Sequence, residues 1–166
     1  MIVVSDTSPL TSLLRIGRER LLCELYGTVI IPEAVGREFR HSHAELPPFL
    51  KVVAPRDRAA VERLAREIDR GEAEAITLAK EADADALLID DKRGRRVALR
   101  EGVAIVGLLG VLIVARKKSL VASLKQVPDE LEAKADFRLA TELKLHALRE
   151  VEEGEMSGTS GEKADK

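Results

Sequence analysis

The residues best suited to chemistry in this chain are carboxylates that directly follow short apolar runs. Asp6 ends the run Ile2-Val3-Val4-Ser5, and Asp90 and Asp91 end Ala86-Leu87-Leu88-Ile89. Glu33 and Glu38 follow the run over residues 28–31, on a segment opened by Pro32, and Glu72 and Glu74 open the segment that feeds Ala86. Like charges gathered within a few ångströms raise one another's pKa values, and a hard divalent cation removes that cost. Mg²⁺ or Mn²⁺ takes oxygen ligands, keeps several waters and is commonly shared between carboxylates and substrate phosphates. His41 and His43 are close in sequence, but no cysteine or third histidine stands at metal-ligand spacing from them. One or two such ions in an all-carboxylate site suit phosphodiester hydrolysis, where the ion activates water and offsets transition-state charge. Lys92, Arg93, Arg95, Arg96 and Arg100 follow the Asp pair at once and are suited to holding phosphates.

Plainer uses exist for the same residues. Asp6 is placed to cap the helix that follows it, and one of Asp90 and Asp91 is placed to cap the segment from Lys92. Glu33 lies five residues from Glu38, roughly opposite it on a helix, and reads as surface. Glu72 and Glu74, two apart, cannot share a helical face, so at most one of them faces a common site. The basic run equally reads as the solvated face of an exposed helix. Arg15, Arg18 and Arg20 read as surface, His41, His43 and His146 as surface or loop, and Cys23, in an apolar stretch, as core.

The elements that must position these groups alternate along the chain. Apolar, largely β-branched runs over residues 2–4, 28–31, 51–54, 86–89 and 103–106 predict strands, the third of them at an edge. Between them, residues 10–17, 21–26, 32–39, 57–68, 71–82 and 92–100 read as helices, with another over 108–116. Residues 120–126, 129–135 and 141–151 read as outer helices. This alternation predicts a three-layer α/β/α domain with a central parallel sheet over residues 1–150. In such a sheet, ligands bind outside the carboxyl ends of the strands, which is where the acids fall.

Composition narrows the field. Of 166 residues, 45% are apolar, enough for a core, and 27 Lys+Arg nearly balance 29 Asp+Glu. The last seventeen residues carry six acids against two bases and are rich in Gly and Ser, so 151–166 reads as a disordered acidic tail. Only 2% of residues are aromatic, which argues against a surface that stacks bases on aromatic rings. The lone Cys23 excludes an internal disulfide and fits a reducing cytoplasm. No basic leader precedes the first apolar run, and the longest uncharged stretch, residues 103–115, is short of the roughly 20 residues a membrane span needs.

Four segments resemble the PIN-domain nucleases, in order and spacing closest to prokaryotic members related to VapC-type toxins. They are Val3-Val4-Ser5-Asp6-Thr7-Ser8-Pro9-Leu10, Ile31-Pro32-Glu33-Ala34-Val35-Gly36-Arg37-Glu38, Asp69-Arg70-Gly71-Glu72-Ala73-Glu74-Ala75-Ile76 and Leu87-Leu88-Ile89-Asp90-Asp91. Gly107-Leu108-Leu109-Gly110 resembles the family's glycine-flanked turn, and Phe137-Arg138-Leu139 matches more loosely. The resemblance implies a parallel-sheet fold, a cleft of acids holding Mg²⁺ or Mn²⁺, and endonucleolytic cleavage of RNA. For toxin members it also implies an antitoxin partner and a homodimer. It assigns the metal and catalytic acids to Asp6, Glu38, Glu74 and Asp90, with Asp91 in reach, and a nearby hydroxyl to Ser8. A homodimer is also suggested by the apolar segments 10–16 and 108–114. Two other classes stay open: a PIN-fold module that binds RNA or protein without turnover, and a haloacid-dehalogenase-type phosphatase, although the latter needs a second Asp where Ser8 stands.

Overall fold

The computed structural model describes residues 1–43, 45–124, 127–135 and 149. Strands β1 (Val3–Ser5), β2 (Val29–Pro32), β3 (Leu50–Val53), β4 (Ala86–Leu88) and β5 (Ile105–Val106) form one all-parallel sheet in the order β3-β2-β1-β4-β5. Every residue of β1 and β4 is buried, as a sheet covered on both faces requires. Parallel neighbours need crossover connections. Helices α1 (Thr7–Arg15) and α2 (Arg20–Tyr26) connect β1 to β2, and α3 (Glu33–Ser42) connects β2 to β3. Two more, α4 (Arg58–Leu64) and α5 (Arg70–Glu81), lead to β4, and α6 (Lys92–Arg100) leads to β5. The sheet and its helices make the three-layer α/β/α architecture that the alternation predicts, and β3 is an edge strand; α7 (Leu108–Lys117) and α8 (Val127–Ala135) follow in the chain.

The order of the strands creates the site. From β1 the chain builds outward to β2 and β3, then returns to the other side of β1 to add β4 and β5. Connections leaving β1 and β4 therefore diverge, and a crevice opens at their carboxyl ends. Across it the two strands stay in register, with Ser5 opposite Leu88, and the Asp6 N–H donates to the Leu88 carbonyl at 2.9 Å. Helix α5 packs against β1, β2 and β4. Its alanines Ala73, Ala75 and Ala79 allow a close approach, and Ile76 and Leu78 fill the core with Val4, Leu87 and Ile89. Glu72 and Glu74 are thereby carried into a buried layer.

By compactness the chain divides into two units, Met1–Leu108 and Leu109–Lys166. The first holds the whole sheet and α1 to α6. In the second, α7 ends within one residue of the expected 108–116. Ser119 takes a left-handed conformation (φ 59°), and the Leu120 N–H turns back to the Ala115 carbonyl at 2.9 Å, which closes the helix. The helix predicted over 120–126 is accordingly absent across 120–124, which form turns and bends, and residues 125–126 lie outside the described residues. The predicted helix over 141–151 (Arg149 aside), the tail over 151–166, the 137–139 segment and His146 also lie outside them. Cys23 is exposed rather than buried, because α2 turns Leu21 and Leu22 inward and leaves the next position outside. Among the described residues, no helix is long and apolar enough to cross a membrane.

Candidate active site

Asp6 stands at the first residue past β1, in extended backbone, as the N-cap position of α1. It is 6% exposed, and burial pushes its pKa from 3.8 up to about 6. The backbone N–H groups of Thr7 and Ser8 partly offset that rise, and the nearby carboxylates of Glu38 and Asp90 add to it. Asp90 lies across the crevice, two residues past β4. Its Oδ1 accepts a hydrogen bond from the Leu108 N–H at 3.0 Å, and its Oδ2 is buried with no hydrogen-bond partner among the described residues. Burial raises the Asp90 pKa, and the Leu108 N–H and then Arg95 pull it back. Glu38 enters from the exposed side of α3, where its Oε2 accepts the Thr7 hydroxyl at 2.7 Å.

The fourth acid at this crevice is Glu72. It sits in the first turn of α5, where its Oε2 accepts the Asp69 N–H at 3.2 Å. Burial is the main reason its pKa rises from 4.5 to about 7, and the Asp6 and Asp91 carboxylates raise it further. Three glycines border the cluster, and two of them, Gly94 and Gly107, make room for it. A Cβ on Gly71 would lie 3.7 Å from Asp6 Oδ1 and 3.9 Å from Glu38 Oε2, so both carboxylates reach that one point. On Gly94 it would meet Glu72 Oε1 at 2.7 Å, and on Gly107 it would meet Asp90 Oδ1 at 3.0 Å and Arg95 Nη1 at 2.6 Å. Any side chain at Gly94 or Gly107 would collide with these groups.

The remaining predicted residues take other positions. Glu74 is almost wholly buried, but its oxygens are engaged: Oε2 accepts the Ala34 N–H at 2.8 Å and Oε1 meets Arg70 Nε at 3.3 Å. It satisfies the first turn of α3, whose own N-cap is Pro32 and offers no side-chain acceptor. Asp91 caps α6, its Oδ1 accepting the N–H groups of Arg93 and Gly94 at 2.8 and 2.9 Å. Ser8 is exposed at the start of α1. Arg95 reaches back over the sheet end to the Ile89 carbonyl at 3.1 Å, beside Asp90. Lys92, Arg93 and Arg96 are exposed on α6. Arg93 lines a cavity of about 400 Å³ together with Arg66, Glu67, Asp69, Glu72 and Asp91. Arg100 points away to Glu67, which it grips through two hydrogen bonds of 3.0 and 2.8 Å.

The structure thus brings Asp6, Glu38 and Asp90 together, adds Glu72, and ties Glu74 to the base of α3. Thr7 is missing from the sequence-based set, and Glu72, left open there beside Glu74, is not among the acids that the resemblance assigns. One signal pointed to Glu72: Asp69 and Glu72 have the three-residue spacing of a capping box, which fixes Glu72 at the helix start facing the strand ends. Glu74 is then about 200° further round.

The donor set is compatible with a hard cation. All four groups offer only oxygen, an unpartnered carboxylate atom is buried among them, and two of the acids have pKa values raised to about 6 and 7 by burial and like charge. Among the described residues, no group of three or more His, Cys, Asp or Glu side chains is placed to hold a metal ion. Mg²⁺ does not need such a group, since it keeps several waters and uses one or two protein carboxylates.

A family model described as a PIN domain matches residues 2–153. PIN domains are generally nucleases and typically use divalent metal ions. No curated protein and no solved structure matches the chain.

The raised pKa of Asp6 has a sign that can be measured. Because the folded carboxyl holds its proton to a higher pH than the unfolded one, folded protein binds more protons between about pH 4 and pH 6, and stability falls as pH rises through that window. In EDTA, unfolding free energies of the parent measured against Asp6→Asn should decline across those values and level off above them. A flat or rising difference contradicts the burial and crowding described for Asp6.

Proposed function

Because the chain belongs to the PIN-domain family, we propose that it is a Mg²⁺- or Mn²⁺-dependent endoribonuclease whose acids are Asp6, Glu38, Glu72 and Asp90. The observation that carries this reading is the pair Asp6 and Asp90 on the two sides of the β1/β4 crevice, with the Asp90 Oδ2 buried and unpartnered among the described residues. Asp6, Asp90, Glu38 and Glu72 are the residues that would hold a cation, and Asp91 lies near Glu72. A bound divalent ion supplies a Lewis acid that makes water nucleophilic near neutral pH and offsets charge on the phosphate. Glu72, with its pKa near 7, is suited to take a proton from the attacking water. Glu38, fixed by the Thr7 hydroxyl, keeps its carboxylate turned toward Asp6. Arg95 stands beside Asp90 where it can meet a substrate phosphate, and Lys92, Arg93, Arg96 and the Ser8 hydroxyl extend that polar surface. Glu74 supports the site from below by holding α3, and through it Glu38, in place.

RNA as the substrate, a toxin role with an antitoxin partner, a homodimer and a cytoplasmic setting follow from the resemblance. For the dimer, Leu10 and Leu13 of α1 are already buried within the chain, which leaves Leu14 of α1 and Ile16 just past its end as half-buried apolar residues. Light scattering of the purified protein, alone and with the product of a neighbouring small reading frame, should give twice the chain mass and a stable complex. A monomer that binds no such product removes both assignments.

Cleavage of a structured RNA with Mn²⁺ tests the central reading. Asp6→Asn and Glu72→Gln should each lower the rate by about two orders of magnitude or more while remaining folded. Glu74→Gln should mainly lower stability. Full activity in Asp6→Asn, or in excess EDTA, refutes the proposal, and full activity in Glu72→Gln refutes the role of Glu72.

A further inference from the structure

Arg95 is the half-buried member of the basic run on α6, whereas Lys92, Arg93, Arg96 and Arg100 are exposed. Side chains on a helix lean back toward its N-terminus, so a residue just past the Asp91 cap can return to the strand end that the helix leaves. Arg95 does so, and its Nη1 donates to the Ile89 carbonyl at 3.1 Å. In a regular parallel ladder that carbonyl would be filled by the backbone. Leu87 and Leu88 pair with Ile105 and Val106, and the N–H groups of Leu87 and Ile89 donate to the Ala104 and Val106 carbonyls at 2.8 and 3.1 Å. Evenly spaced pairing then gives the next bond to the Leu108 N–H, with the Ile89 carbonyl as its acceptor.

The chain leaves the ladder at this point. The Leu108 N–H donates instead to Asp90 Oδ1 at 3.0 Å, and the Arg95 guanidinium takes the carbonyl left behind. Partners are exchanged without orphaning a backbone group, and Asp90 Oδ2 stays buried with no hydrogen-bond partner among the described residues. Gly107 gives the exchange its room. Its φ is not left-handed, so the backbone there does not call for glycine; space does. A Cβ on Gly107 would stand 2.6 Å from Arg95 Nη1 and 3.0 Å from Asp90 Oδ1, so both groups use the volume a side chain would fill. The glycine-flanked turn over 107–110 thus borders the Asp90 side of the crevice.

We propose that Arg95 is a positioning residue: by occupying the Ile89 carbonyl it releases the Leu108 N–H to Asp90, and so holds that carboxylate with one oxygen fixed to the chain and the other left for a cation. The cation half of this inference rests on the nuclease reading, whereas the exchange of hydrogen bonds does not. A guanidinium carries five N–H donors, so taking the carbonyl leaves others for a substrate.

The experiment compares the full-length parent with Arg95→Met, which keeps an apolar stem and removes the donors and the charge. In metal-free protein, NMR correlations transmitted through hydrogen bonds identify the acceptor of the Leu108 N–H. The parent should couple to the Asp90 carboxyl carbon and the variant to the Ile89 carbonyl carbon; any other acceptor in either protein overturns the exchange. Calorimetry at one fixed pH then gives the Mn²⁺ affinity. Removing a nearby positive charge by itself would tighten cation binding, whereas lost positioning should weaken it by about tenfold or more. Unchanged or tighter binding therefore overturns the positioning role. Gly107→Ala, which drives a methyl group between Nη1 and Oδ1 with the arginine still present, should weaken Mn²⁺ binding to a similar degree, and full affinity in that variant counts equally against the role. A parent that binds no Mn²⁺ removes the nuclease reading and the cation half of the proposal with it, and the NMR comparison still decides the exchange.

Discussion

Carboxylates crowd the crevice between β1 and β4 because the strand order leaves a gap there and the chain fills it with acids from β1, β4, α3 and α5. Burial alone disfavours their charged forms, and proximity adds to the penalty. The consequence is visible in Asp6 and Glu72, whose protons are held to about pH 6 and pH 7. Arg95 compensates locally at Asp90. The rest of the fold is consistent with this constraint: Gly94 and Gly107 give up side chains where the carboxylates need space, and Thr7 and Asp69 donate to the outer two acids.

A distinction between carboxylates that work and carboxylates that hold follows from their partners. Glu74 and Asp91 both satisfy backbone N–H groups at helix starts, a use that lowers the cost of leaving those donors in a buried layer. Glu38 and Glu72 each accept one hydrogen bond, and Asp90 keeps an oxygen without one among the described residues. Chemistry is proposed for the acids with capacity left over.

Much of this was legible in the sequence. The alternation of β-branched runs and helical segments predicts the parallel sheet, and acids just past the runs locate the site, since ligands gather at strand carboxyl ends. Asp6 and the Asp90–Asp91 pair are readable on that basis, whereas Glu38 rather than Glu33 is what the resemblance implies. Choosing between Glu72 and Glu74 was harder, because both open one helix, and the choice depends on which face of α5 meets the strand ends and which meets α3. Asp91 was equally ambiguous, and its capping bonds appear only once the start of α6 is fixed. Cys23 and the 120–126 segment failed for a related reason: apolar composition does not say which side of a short helix is covered, and nothing local marks Ser119, a non-glycine residue, as a left-handed stop.

If the crowded acids await a cation, binding must displace the protons they retain. Calorimetric titration with Mn²⁺ at about pH 6.5, repeated in two buffers of different ionisation enthalpy, counts those protons. The account predicts saturable binding that releases about one proton per ion, with release and affinity both reduced in Asp6→Asn. Binding that releases none and is unchanged in that variant would contradict it, as would no binding at all.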